Sequence, residues 1–340
     1  MLAKEAPTVV DRWRFFLVRF FSKRTQRVLC QSLLLALFIC AIAWISHNVL
    51  DNLQRLGMKT GFGFLSRPAG FEISQALVFY DDSSTYGKAF VVALLNTVSL
   101  ALLAIGLATV IGFLIALTRI SFNPLLRAVG LGYVELLRNI PLLIQLLFWY
   151  FAVLQMLPGP SASIHISDWL YLNNRGLFLP APNFGAESGW WTLPRLQGFN
   201  FVGGFSILPE LFAMILGLSL YSAAFTAEIM RAGIVAIVRG QIDAALALGL
   251  TRWQVLRLVV VPQALKNIVP PLGAYYVVIL KNTSLGCAIA YPELMLVFAG
   301  TVLNQTGQPI DVMSLTLLTY LGLGLAMAAV TNLINRRVLR

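Results

Sequence analysis

Six apolar stretches of helical length recur along this chain, at about 28–50, 88–117, 137–157, 208–230, 268–290 and 312–335. Each supplies roughly the 20 residues that a helix needs to cross a bilayer. Few folds are open to such a chain. Inside hydrocarbon every backbone N–H and C=O must find a partner within the protein, which only helices and closed barrels achieve. Runs of this length favour helices. The charged fraction agrees: it is 11% of 340 residues, against about 25% in a soluble domain. The expectation is an all-α membrane protein, a polytopic bundle of about six transmembrane helices. The fifth run is the weakest, because Pro270, Pro271 and Lys281 interrupt it.

The net charge of +11 is distributed unevenly between the connections. Residues 1–27 carry Lys4, Arg12, Arg14, Arg19, Lys23, Arg24 and Arg27. The 118–136 connection adds Arg119 and Arg127, with Arg138 at its far edge, and 231–267 adds Arg231, Arg239, Arg252, Arg257 and Lys266. The alternate connections are poorer in basic residues, and 291–311 has none. The positive-inside rule therefore places both termini in the cytoplasm, and an even number of spans agrees. The basic balance reports topology. It does not point to nucleic acid, since no basic stripe with interleaved aromatics lies on a soluble domain.

Cys30, Cys40 and Cys287 all fall in predicted spans, an odd number without metal-ligand spacing, which argues against a disulfide framework. The first run is longer than a cleavable signal's apolar core and reads as a signal anchor. Ahead of it, Trp13, Phe15, Phe16, Phe20 and Phe21 alternate with basic residues. That mixture suits either an interfacial helix or a basic flank that only fixes topology. On the predicted outer side, Gly61-Phe62-Gly63-Phe64 and Asp81-Asp82-Ser83-Ser84 are turn-forming. The 158–207 loop, about 50 residues rich in Pro, Gly, Asn and Trp, is of a length usually functional or disordered. Its Trp190 and Trp191 read as belt residues or a binding platform.

Residues 243–262 lie on the basic side between two spans, where membrane anchoring alone explains them poorly. Ala244, Ala245, Ala247 and Gly249 carry little bulk, so a helix built of them can press its backbone onto a partner. Gly249 can take the left-handed conformation that ends a helix. Thr251 and Gln254 match the reciprocal capping box, so a second helix starts there. Pro262 is then expected to end or kink it. The result is an angled docking hairpin.

The spacing Asp243-Ala244-Ala245, three residues, Gly249, nine residues, Val259-Val-Val-Pro262 resembles the signature of permease subunits of bacterial ABC importers. That family has Glu at the first position and Ile-x-Leu-Pro at the end. The lead-in Arg231-Ala-Gly-Ile-Val-Ala-Ile-Val-Arg-Gly-Gln241 is similar to the polar amino acid subfamily, although Val238 stands where that subfamily usually has proline. Glu135-Leu-Leu-Arg138-Asn-Ile-Pro141-Leu-Leu-Ile-Gln145 and Leu280-Lys281-Asn282-Thr283-Ser284-Leu285 look like two further signatures of that subfamily. The extra first span and the long 158–207 loop look like the larger, general L-amino acid permeases.

The resemblance, over about 88–335, implies a MetI-like type I ABC importer permease core. It implies a cytoplasmic N-terminal segment (1–27), an additional span and periplasmic loop (28–87), the permease domain with its coupling segment 231–262, and a short cytoplasmic tail (336–340). The coupling residues would be Gln241, Asp243, Ala244, Ala245, Gly249, Thr251, Arg252 and Pro262. The implied partners are an ATP-binding subunit that holds ATP and Mg, a second related permease, a periplasmic solute-binding protein and an L-amino acid, all at the bacterial inner membrane within the lipid bilayer. This chain itself needs no cofactor.

Other residues carry two readings each. Glu135 and Arg138, at i,i+3, pair at a helix start or take part in function. Gln145 and Asn96 are interhelical glue or pathway lining. Lys281 faces a cavity, where it meets a substrate carboxylate or a neighbouring Glu, or it snorkels from a helix end. Tyr221, Asn282 and Ser284 join the candidate pathway. Pro141 belongs to its motif, Glu228 anchors a helix end near Arg231, and Pro270-Pro271 gates or merely bends its helix.

No Gly-x4-Gly-Lys-Ser/Thr loop occurs, so hydrolysis belongs to another chain. His47 and His165 sit in no catalytic setting. The expectation is a permease rather than an enzyme. The alternative, a secondary transporter or channel for a small polar solute, predicts membrane carboxylates and inverted repeats, and neither is evident.

Overall fold

The computed structural model describes residues 23–55, 57, 60–167, 169–182 and 191–339, which fall into two compact units, 1–60 and 61–340. The aromatic segment before Lys23 and Trp190 lie outside the described residues. In the first unit, helix α1 (Lys23–Arg55) carries the apolar window Thr25–Val49, of which none is buried. Leu34, Phe38 and Trp44 are all exposed. A helix apolar all round is one whose solvent is lipid or another membrane helix.

The second unit begins with a short 3-10 turn, Phe62–Ser66, and a loop closed by a bridge between Pro68 and Thr85. Asp81 makes the turn expected of it. Its carboxylate accepts from Ser84 at 2.6 Å and Ser83 at 2.9 Å, which holds it below the usual carboxylate range. Helix α2 (Tyr86–Ile120) follows, capped by Thr85, and then α3 (Pro124–Asn139), capped by Asn123 with proline in its first turn. Helix α4 (Leu142–Leu147) runs on as a π-helical turn, Phe148–Leu154.

Three further long helices complete the bundle. They are α5 (Pro209–Val235), α8 (Val261–Asn282) and α10 (Pro309–Leu339). Two short helices, α6 (Arg239–Ala247) and α7 (Arg252–Val255), form the hairpin between α5 and α8. Between α8 and α10 the chain makes a 3-10 segment (Thr283–Ile289), a π-helical segment (Met295–Val302) and a last turn, α9 (Leu303–Thr306). Among the described residues five helices are long and apolar enough to cross a membrane, or six if the bent α3–α4 pair is one span. The expected helix bundle is there.

The third span differs from its expected form. Residues 118–136 are not a simple connection, because α3 occupies most of them and meets Leu142–Leu154 at a bend of 101°. Ile140 before Pro141 is extended (φ −98°, ψ 125°), as a residue preceding proline prefers to be. A hydropathy window averages across such a break and reports one span. The fifth span differs too: it runs unbroken from Arg252 to Ile289, through Pro270 and Pro271.

The 158–207 loop is not structureless. Strands β1 (Ile164–Ser167), β2 (Leu170–Asn173), β3 (Gly176–Leu179) and β8 (Phe205–Ile207) form an antiparallel sheet in that order. Two small ladders lie between β3 and β8: β4 (Ala181–Pro182) with β5 (Trp191–Thr192), and β6 (Arg195–Gln197) with β7 (Asn200–Val202). Asn173-Asn-Arg-Gly176 is the two-residue hairpin between β2 and β3, and Gly176 has φ +126° there.

The centre of the bundle is the seam between α2 and α5. Every fourth residue of α2 is buried from Leu100 through Ala104, Ala108 and Gly112 to Ala116. Ala223 and Ala227 of α5 are fully buried too. Small residues at this spacing let two backbones approach closely, the usual device of membrane helix packing.

Candidate coupling hairpin and helix break

Helix α6 ends in a full Schellman motif. Leu250 N–H donates to the Ala245 carbonyl at 3.3 Å and Gly249 N–H to that of Leu246 at 2.9 Å. Gly249 has φ +84° and carries the turn. One residue later Thr251 starts α7. Its N–H donates to Gln254 Oε1 at 2.8 Å, while Gln254 N–H donates back to Thr251 Oγ1 at 3.3 Å. This is the reciprocal box read from the sequence.

Ala245, Val255 and Ile237 are buried and hold the hairpin to the bundle. Gln241, Asp243, Ala244, Gly249, Thr251 and Arg252 are exposed. Two large apolar side chains stand out beside them, Leu248 at 83% and Trp253 at 67% exposure. Pro262 does not end α7. The π-helical turn Leu256–Val260 leads straight into α8, and Pro262 sits within the first turn of α8, where a missing N–H costs little.

Glu228 joins two helices, as an anchor should. It is hydrogen-bonded by Arg119 of α2 and, at 2.5 Å, by Arg231 of its own helix. The pair expected between Glu135 and Arg138 is not formed among the described residues, and these residues lie in the last turns of a helix rather than at its start. The Arg138 guanidinium instead sits over the Phe225 ring at 5.0 Å.

Gln145 clasps the bend. Its Nε2 donates to the carbonyls of Leu137 at 2.8 Å and Ile140 at 2.9 Å, closing the end of α3 from the first turn of α4. Those carbonyls would otherwise lack a partner. Replacement Gln145→Leu keeps the bulk and removes both bonds. We expect a loss of about 2 kcal/mol, read as a lower unfolding midpoint in detergent; an unchanged midpoint would mean the clasp is not what holds the bend.

Asn96 is tied in the same manner. It is buried, and Nδ2 donates to the Gln75 carbonyl at 2.7 Å and that of Pro292 at 2.8 Å. Tyr221 contacts the Phe225 ring at 5.0 Å. Lys281, exposed, lies in the last turn of α8; Asn282, half-buried, closes that helix; and Ser284 donates to the Lys281 carbonyl at 2.8 Å. No hydrogen bond between their side chains joins these six candidate pathway residues among the described residues. The Arg/Lys-poor sequence between α8 and α10 hides one feature that sequence reasoning missed. Glu293 is fully buried and accepts from Met295 N–H and Leu296 N–H, each at 2.8 Å, and from the Tyr320 hydroxyl at 2.5 Å. A lone Glu before an apolar run is the signal of such a cap, and it is a weak one. No group of three His, Cys, Asp or Glu suited to a metal occurs among the described residues.

The family model described as binding-protein-dependent transport system inner membrane component matches residues 108–340. The chain is 40% identical to YhdX of Escherichia coli (strain K12), an amino-acid ABC transporter permease protein by name, over 94% of this chain and 95% of that one. It is 36% identical to the general L-amino acid transport system permease protein AapQ of Rhizobium johnstonii, over 94% and 93%. It is also 31% identical to the glutamate/glutamine/aspartate/asparagine permease protein BztB of Rhodobacter capsulatus, over 94% and 95%. A crystal structure of an amino acid ABC transporter with histidines superposes with a TM-score of 0.55 at 27% identity, over 74% of this chain and 95% of that one. An inward-facing MetNI methionine transporter matches at 0.51 and 20% identity, over 74% and 97%, which speaks for the fold alone. With its helix bundle and these relatives, the chain belongs to the binding-protein-dependent transport system inner membrane components, the permease subunits of ABC importers, and is a transport component rather than an enzyme.

Proposed function

We propose that this chain moves L-amino acids across the bacterial inner membrane by alternating access, with ATP and Mg held by a separate subunit that docks on the 239–255 hairpin. The observation that carries the reading is that hairpin. Two helices of nine and four residues are locked by a Schellman turn and a capping box, and Ala244, Ala247, Leu248 and Trp253 stay exposed while Ala245 and Val255 pack inward. Such rigidity has no use in a solvated loop, and it suits a surface that must receive a push. On this reading both termini and the hairpin are cytoplasmic. The sheet insertion 164–207 faces the periplasm, where a solute-binding protein delivers substrate. A second, related permease completes the pathway.

The proposal is tested in proteoliposomes holding the complete complex and saturating solute-binding protein. Labelled L-glutamate or L-glutamine should accumulate only with ATP and Mg on the hairpin side. Accumulation without ATP would favour a secondary transporter or channel instead. Lys281→Ala is expected to slow uptake several-fold through the loss of a cation from the path. An unchanged rate would assign that lysine to the helix end, where it does no more than reach for water.

A further inference from the structure

Only one ion pair among the described residues joins two different helices, and it lies at the hairpin end of the bundle. Arg119, in the last turn of α2, donates to Glu228 Oε2 of α5. Their side chains are 13% and 27% exposed, so the pair is largely withdrawn from water. The rest of the α2–α5 seam is built differently, from small uncharged residues, and the only other charge on α2 is Lys88 at its opposite end. Helix α3 wedges Arg119 in place: a Cβ at Gly130 would lie 2.8 Å from Arg119 Cγ.

The carboxylate has a second cation, and the reach of the two overlaps. Arg231, on the same helix, donates from Nη2 to Oε1 at 2.5 Å, and its Nε lies 3.2 Å from both Oε1 and Oε2. The oxygen that Arg119 holds is thus already within reach of Arg231. Arg138 of α3 adds its field to the same carboxylate. Breaking a buried ion pair is ordinarily costly, because it leaves one charge without a partner. Here it does not. When Arg119 withdraws, Glu228 keeps a two-point bond to Arg231. Arg119 stays in the last turn of its own helix, where free carbonyls and the helix dipole favour a cation. Both ends of the pair have an alternative partner, which a purely structural tie does not need.

The contacts of α5 with α8 are of another kind. One turn before Glu228, Phe225 stacks on Tyr275 with centroids 5.4 Å apart. Just beyond Glu228, Gly233 sits against Ile268, and Asn267 Nδ2 donates to the Gly233 carbonyl at 3.3 Å. Stacked rings and close apolar packing survive a small slide. A guanidinium–carboxylate bond is directional and is either made or broken, which gives the α2–α5 seam two discrete arrangements. We propose that Arg119 and Glu228 form a latch that ties α2 to α5 in one transport state and opens in the other, with Arg231 holding the Glu228 charge while it is open. The inference rests on the transport reading above. A contact with two states lets a partner that binds them unequally bias the equilibrium. Glu228 is well placed to feel such a partner, since Val235, where α5 ends before the hairpin, lies about two helical turns away.

The test measures distances by pulsed electron spin resonance in the complete complex, in a background lacking Cys30, Cys40 and Cys287. Spin labels are placed at Phe122→Cys and Val235→Cys, both exposed positions, beyond Arg119 and Glu228 on their chains. The otherwise wild-type protein should show two distances whose populations change between the nucleotide-free complex and the complex trapped with ATP and vanadate. Arg119→Gln removes the closed partner, so the longer distance should grow several-fold. Arg231→Gln removes the open partner, so the shorter distance should dominate in both conditions. Arg119→Lys should fall between the wild type and Arg119→Gln. A purely structural ion pair would lower the unfolding midpoint in both Gln variants and shift the distances in neither. That result, or shifts in the same direction, would overturn the proposal, as would a single fixed distance in a complex that still takes up substrate. Failure of the transport reading is seen separately, as wild-type proteoliposomes without ATP-dependent uptake.

Discussion

Gly249→Arg should reduce ATP-driven uptake to background while the protein still inserts and purifies normally. The position separates the two effects well. A Cβ built at Gly249 meets no atom within 4 Å, so nothing in the bundle is displaced by a larger residue. The backbone cost is confined to a non-glycine residue at φ +84°, about 1–2 kcal/mol. A long cation placed at the apex between Leu248 and Thr251 would instead stand between the hairpin and whatever it docks on. Gly249→Asn is the control, since asparagine tolerates the left-handed conformation and adds less bulk. It should retain most of the uptake. If Arg transports at wild-type rate and still co-purifies with the ATPase subunit, the hairpin is not the docking surface. If Asn is as inactive as Arg, the turn tolerates no side chain at all, and the length of the cation is not what blocks uptake.

Gly112→Leu should damage the fold at the centre of its helix seam. A Cβ at this position would lie 2.7 Å from Thr226 Cγ2, 2.8 Å from Thr226 Cβ and 3.0 Å from the Ala223 carbonyl oxygen. Two of these contacts are to atoms at or near the backbone, which cannot rotate away. The seam must therefore open, and close-packed interiors accept an added side chain poorly. We expect a loss of about 3 kcal/mol, the upper part of the range for overpacking. Gly106, on the exposed side of the same helix, has open space around it. Gly106→Leu should be tolerated or slightly stabilising, because leucine is the better helix former. Thermal unfolding of the two purified variants in detergent checks the contrast, and equal midpoints would show that the seam is not closely packed.

The hairpin was legible in the sequence because its determinants are local. Gly249, Thr251 and Gln254 act over three or four residues, and their geometry follows from backbone stereochemistry alone. The bend at Ile140–Pro141 is also written locally, in a residue before proline, but apolar residues on both sides hide it from any averaging of hydropathy. Arg138 shows the opposite limit. Spacing offers it Glu135 as a neighbour, whereas the tertiary fold offers Phe225, 87 positions away. The ties of Asn96 to Pro292 and of Glu293 to Tyr320 are likewise long-range. Pro262, Pro270 and Pro271 mislead for a different reason, since tertiary packing and a π-helical turn let the helix pass through them. The strands of 164–207 are too short for their alternation to register.

The way the hairpin is attached has a mechanical consequence. Only Ala236–Val238 separates α5 from α6, and Ala236 N–H still donates to the Ala232 carbonyl at 3.0 Å while Ile237 is buried. On its other side, α7 continues into α8 without interruption. A lever fixed at one point could only push or pull. One fixed at two points to different spans converts a shift at its tip into a twist of one helix against the other. Any stroke delivered at Gly249 is therefore applied as torque between α5 and α8, the helices that bear Phe225 and Tyr275, and the ring pair lies where that torque would be felt.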